Sequence, residues 1–152
     1  MPQKSPRTKR GYEPVFTVLE YYDGPRKGIA SYKKTPHFFD CIINDKNEYS
    51  EKYLLTPVDD ETYQLAMEAS EIFRKWEIRF HDSKRASTTT RAYLLDTKKY
   101  RAINRVLDKR LVTIPRQAII RTGHFEVLGR PKLPKGVIRP LQVKVKWTQP
   151  ID

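Results

Sequence analysis

The sequence predicts an α+β domain: an antiparallel sheet, curled or barrel-like, packed by one long helix, with a second helix and a C-terminal β-hairpin. Three observations carry this. Four short runs rich in β-branched and aromatic residues follow one another with tight polar connections between them. A stretch from Pro57 to about Lys84 repeats apolar residues at the helical period. Near the C-terminus, apolar and polar residues alternate strictly.

The first 14 residues are polar, with Pro2, Pro6 and four positive charges, and are expected to form a disordered basic arm. Val15 to Tyr22 reads as the first strand. Asp23-Gly24-Pro25-Arg26 is a turn signal, since Gly24 tolerates positive φ and Pro25 presets its own. Gly28 to Lys33 is the second strand and Lys34-Thr35-Pro36 the second break. His37 to Asn44, a turn at Asp45 to Glu48, and Glu51 to Thr56 complete a four-strand meander.

Asp59, Asp60 and Glu61 open the helix over 58–82. Asp59 serves as N-cap, and the two carboxylates after it suit the positive end of the helix dipole. Leu65, Ala69, Ile72, Phe73, Trp76 and Phe80 form one apolar stripe. The helix should cover one face of the sheet, with Trp76 and Phe80 buried against Val15–Tyr22 and His37–Asn44.

The block Tyr22-Asp23-Gly24-Pro25-Arg26, with Gly28, Ala30, Pro36-His37-Phe38-Phe39, Leu54-Leu55-Thr56-Pro57 and the helix bearing Trp76 and Phe80, resembles a family of uncharacterised bacterial proteins. The resemblance spans about residues 16–81. It implies that the first half is a recurring module, and it implies no activity.

Residues 83–95 are a basic Ser/Thr-rich connection, expected to be a loop. Asp96 is a candidate N-cap for a second helix to about Arg110, with Tyr100, Ile103 and Leu107 on its inner side. Val112 to Ile120 is ambiguous because Pro115 interrupts it. Arg121 to Leu128 reads as a strand. In the last strand Leu141, Val143, Val145 and Trp147 alternate with Gln142, Lys144 and Lys146, so one face is core and the other wet and positive. Residues 15–152 are thus expected to form a single domain.

Composition narrows function. A chain of 152 residues with 38% apolar content can build its own core without a metal or disulfide. Its single cysteine, Cys41, excludes an internal disulfide and suits a cytosolic setting. No apolar run approaches the length of a membrane span. The formal charge of +12 is uneven: residues 83–152 carry 17 basic against 4 acidic side chains, a net +13, while residues 11–82 are net acidic. Such asymmetry points to a polyanionic partner.

Catalytic signatures are sparse. Cys41 and His37 lie on one face of a strand, but their Cα atoms are about 13 Å apart, too far for a hydrogen bond that activates a thiol. Cys41 alternates with Phe39 and Ile43, as a buried structural cysteine would. His37, His81 and His124 are about forty residues apart with no ligand spacing, so no metal site or other cofactor is expected. The carboxylates at 59–61 have helix-start duty. No phosphate-binding glycine loop or nucleophile elbow occurs, and six glycines leave little for a cradle.

The basic second half is the strongest lead. On a helix, Lys98, Arg101, Arg105 and Lys109 fall on one face, opposite Tyr100, Ile103 and Leu107; Lys144 and Lys146 offer a second positive row. The expectation is a non-enzymatic binding module that contacts nucleic-acid backbone through these residues. The alternatives are an adaptor docking an acidic protein and, lowest, a small hydrolase or transferase built on Cys41 and a histidine.

Overall fold

A computed structural model describes residues 11–82, 91–128 and 142–151, and within these it leaves the side chains of 76–82, 91–96, 128 and 142 out of account. The elements are β1 (Glu13–Tyr21), β2 (Pro25–Tyr32), β3 (Thr35–Ile43), β4 (Tyr49–Pro57), α1 (Asp60–Asp82), α2 (Arg91–Arg110), β5 (Ile119–Leu128) and β6 (Gln142–Thr148). The chain divides into two compact units. Among the described residues, the first holds those up to Pro57, Thr113–Leu128 and those from Val143; the second holds those between Val58 and Val112.

The first unit is a closed barrel with strand order β1-β2-β3-β4-β5-β6. β1 closes the ring by pairing antiparallel with β6, placing Glu13 opposite Val145 and Pro14 opposite Lys144. Closure answers how the sheet buries its apolar face. The inner face is filled by the barrel's own side chains: Ala30, Phe39, Cys41, Tyr53, Leu55 and Val145, with Val15, Phe125 and Trp147 packed against them.

Four rings dominate this interior. Phe39, Tyr53, Phe125 and Trp147 meet pairwise, with centroids 5.2 to 6.1 Å apart. These are tilted and edge-to-face arrangements, which the ring quadrupole favours. Two polar tips are satisfied against backbone: the Tyr53 hydroxyl donates to Pro25 O at 2.8 Å, and Trp147 Nε1 donates to Ser31 O at 3.0 Å. Space for the rings comes from Gly28 and Gly123, where a Cβ would stand within 3 Å of Phe39 and of Trp147 and Tyr53, respectively.

The middle strands are also buried on their outer side, where Ile29, Phe38 and Thr56 are sealed. Residues 113–114 reach this side. Ile114 N–H donates to Thr56 Oγ1 at 3.4 Å, and Thr113 Oγ1 to Asp40 at 3.5 Å. The segment around Pro115 is therefore a turn that leads into β5, which begins at Ile119, two residues before the expected Arg121.

β2 and β3 are joined by a two-residue turn, since Tyr32 pairs with Thr35. Its residues, Lys33 and Lys34, both have positive φ, 50° and 65°. Hairpin turns of this hand favour Asn-Gly, and an ordinary side chain there costs about 1–2 kcal/mol. Glu13 offsets this: its carboxylate accepts from the backbone N–H of Lys33 and Lys34 and from Ser31 Oγ.

The second unit is a pair of antiparallel helices. Asp59 caps α1 as expected, accepting from Thr62 N–H at 2.7 Å, and hydrogen bonds from the Thr62 side chain and then its backbone hold its carboxyl below the usual range. The buried stripe of α1 is Thr62, Ala66, Ala69 and Ile72. It is thus turned from the expected one: Leu65 is half-buried, and Phe73 is 46% exposed. Phe73 stacks on Tyr100 of α2 with centroids 6.4 Å apart, so this side chain takes part in helix pairing. The expected burial of Trp76 and Phe80 concerns side chains outside the described residues.

α2 starts at Arg91, not at Asp96. Ala92, Leu94 and Leu95 are strong helix formers and extend it N-terminally, so Asp96 lies within the helix rather than at its cap. The expected loop over 83–95 is therefore shorter by five residues, and 83–90 lie outside the description, as do the arm at 1–10 and the connection at 129–141.

Candidate nucleic-acid interface

Helix α2 sorts its charges by direction. Ile103 and Leu107 are buried and Tyr100 is half-buried. Lys98, Arg101, Arg105 and Lys109 are all exposed, and at intervals of three and four residues they form one row diametrically opposite the buried side. Two flanking cations are spent on α1: Lys99 Nζ lies 2.6 Å from Glu68, and Arg110 Nη1 lies 3.1 Å from Glu61. Among the described residues, none of the four cations in the row forms an ion pair.

Lys144 and Lys146 behave differently from each other. Lys146 is exposed. Lys144 is only 8% exposed, with Nζ 3.9 Å from Glu126 and 5.3 Å from the ring of Tyr12. The expectation that this face of β6 is wet and positive fails at Lys144. Strict alternation turned it away from the interior, but barrel closure brings β1 and β5 to either side of β6. Tyr12 and Glu126 then cover it and neutralise its charge. Lys144 is a structural cation and leaves the candidate interface.

The cysteine site has its own geometry. Cys41 is 7% exposed, and its thiol donates to Ser50 O at 3.2 Å. Burial pushes the thiol pKa up, against the opposing effect of Arg26, whose Nη1 sits 3.8 Å from Sγ. Arg26 is itself held by the carbonyls of Tyr22 and Asp23 and lies over the Tyr49 ring at 4.5 Å. His37 turns its Nδ1–H to Thr35 O at 2.7 Å, so its described contact is not with the thiol. Among the described residues, no group of three or more His, Cys, Asp or Glu side chains could hold a metal ion. No described helix is long and apolar enough to cross a membrane.

A pH prediction follows from the two buried acids of the barrel. Burial raises the pKa of Cys41 from 9.0 and, strongly, that of Tyr53 from 10.0. Both are neutral in the fold. Their stabilising effect is complete below those unfolded values and is lost as pH rises above them. Urea midpoints should therefore be flat near neutrality and fall in alkali, each group contributing a slope of up to about 1.4 kcal/mol per pH unit. Tyr53→Phe should shed the phenol's share. A thiol this depleted of thiolate should also label slowly in the folded protein at neutral pH. Rapid stoichiometric labelling would instead return Cys41 to consideration as a nucleophile.

Signals that sequence reasoning missed lie at the β2–β3 end of the barrel, where Tyr32, Lys33, His37 and Arg121 converge from three strands and a turn. Only strand pairing brings them together. No protein-family model matches the chain, and neither a curated protein nor a solved structure does.

Proposed function

We propose that the chain is a non-enzymatic binding module that contacts nucleic-acid backbone through the exposed α2 row Lys98, Arg101, Arg105 and Lys109. The observation that carries this reading is the contrast along one helix. Cations on the α1 side are matched to carboxylates, while among the described residues the four on the opposite side have no carboxylate partner. Like charges at this spacing each cost a helix a few tenths of a kcal/mol, about 0.2–0.5 per pair, so the row opposes folding and suits an external anion. Rows of phosphates present such charge, and the wide basic excess of residues 83–152 would draw them in. A reducing, cytosolic setting suits the free buried Cys41.

Salt dependence tests it. If about four cations neutralise duplex phosphates, log K should fall against log salt with a slope of roughly −3.6. Raising salt from about 50 to 200 mM should then weaken binding about 150-fold. Arg101→Ala with Arg105→Ala should reduce the slope by nearly two units and weaken different sequences alike, because phosphates carry no base information. Unchanged binding in the double variant would sink the proposal. An acidic protein polyanion serves as the control: equal response to both anions would favour the adaptor reading.

A further inference from the structure

We infer that the barrel end around Tyr32 is a second anion site, one that takes a phosphate-ester group. It lies wholly within the barrel and does not depend on the α2 row.

Tyr32 is the last residue of β2, and three nitrogen-bearing side chains converge on it. Arg121 comes from β5: its Nε donates to the Tyr32 hydroxyl at 3.2 Å, and its guanidinium carbon stands 5.5 Å from the ring centroid. Lys33 comes from the turn, with Nζ 5.5 Å from the same centroid. His37 comes from β3 and meets the ring edge-on at 5.3 Å. Strand order places all four at one end, since β2 finishes, β3 begins and β5 begins there.

The donors are only partly used. Arg121 spends Nε on the phenol oxygen and Nη1 on Ile120 O at 2.7 Å. Among the described residues, Nη2 has no partner. The phenol oxygen accepts from Arg121, which leaves its own O–H to donate outward. His37 is 8% exposed and its Nδ1–H is committed to Thr35 O, so its ring acts as an edge-on wall for Tyr32 and not as a donor. An arginine with an unspent Nη2, a phenol O–H and an ammonium gathered at one barrel end form a set of donors suited to an oxyanion.

Charge decides the ligand's sign. Lys33, Lys34 and Arg121 bring three positive charges to this end. Glu13 is the opposing carboxylate, and its oxygens are occupied by Ser31 Oγ and the N–H groups of Lys33 and Lys34. A net positive site with a planar guanidinium fork and hydroxyl donor fits a tetrahedral oxyanion, and arginine matches phosphate geometry well. The turn points the same way. Two lysines hold backbone conformations that Asn-Gly would adopt without strain, and the carboxylate of Glu13 maintains them. Their cations are what that substitution would remove.

The probe is inorganic phosphate, titrated into the full chain while the Arg121 Nε–H and the Tyr32 and Lys33 amide resonances are followed by NMR. A nucleoside 5′-monophosphate and its parent nucleoside are parallel arms. Phosphate and the monophosphate should move all three resonances in a saturable way, and the nucleoside should not. Tyr32→Phe, which keeps the ring, and Arg121→Lys, which keeps the charge, should each weaken phosphate binding about tenfold or more. Lys33→Asn with Lys34→Gly should raise the melting temperature and still weaken binding, which separates loss of the site from loss of the fold. Shifts no larger than those from chloride at equal ionic strength would overturn the site. So would phosphate affinity that survives both Tyr32→Phe and Arg121→Lys, or a nucleoside response equal to that of the monophosphate.

Discussion

Phe39→Ala is expected to destabilise the barrel by about 3–5 kcal/mol, the usual cost of emptying a large buried aromatic site. Phe39 is wholly buried and, from the middle of β3, touches each of the other three rings, Tyr53, Phe125 and Trp147. Its removal takes away apolar burial and three ring contacts together, and a closed ring of strands has little freedom to collapse into the gap. Domains of this kind have about 5–15 kcal/mol in total, so the variant should be near the edge of folding. The urea midpoint should fall with the slope unchanged. Leu19→Ala, at a residue nearly half exposed, is the comparison and should stay within about 0.5 kcal/mol of the parent. A loss at Phe39 below about 1 kcal/mol would mean that the four rings do not form one packed interior.

Gly28→Ala should be as damaging, although it adds only one methyl group. The new Cβ would stand 2.2 Å from Thr17 O and 2.8 Å from the Phe39 ring. The ring can tilt, but the carbonyl belongs to β1, which pairs with β2 through Val18 and Gly28. Relief therefore requires the two strands to part where β1 already carries irregular register. The cost should reach or exceed the upper part of the range for overpacking, about 1–3 kcal/mol. Gly24→Ala isolates the other role of glycine. Its φ is +131° and its surroundings are open, with Arg26 atoms 3.8 Å away, so only backbone strain acts there. Thermal melts of the two variants side by side should show Gly28→Ala as the lower. A Gly28→Ala protein as stable as the parent would refute the β1–β2 register.

Local chemistry was enough to read most elements. Period-two patterns, turn residues and a capping aspartate act over a few residues, so the four strands of the meander, α1 and β6 are legible in the sequence with edges shifted by a few positions. The exposed row on α2 is legible for the same reason, because helical spacing alone puts Lys98, Arg101, Arg105 and Lys109 on one face. What tertiary structure decided was everything that depends on which strand lies beside which. Alternation along β6 assigns Lys144 to the outside, yet outside a closed barrel is not the same as exposed once Tyr12 and Glu126 flank it. The stripe on α1 shows that one face is apolar; it does not choose between a sheet and a partner helix, and Phe73 stacks on Tyr100. Closure itself, with β1 against β6, joins residues about 130 apart in sequence, and no local periodicity encodes that pairing. Convergence of Tyr32, His37 and Arg121 at one barrel end has the same origin: each is an ordinary strand residue until the register of β2, β3 and β5 sets them side by side.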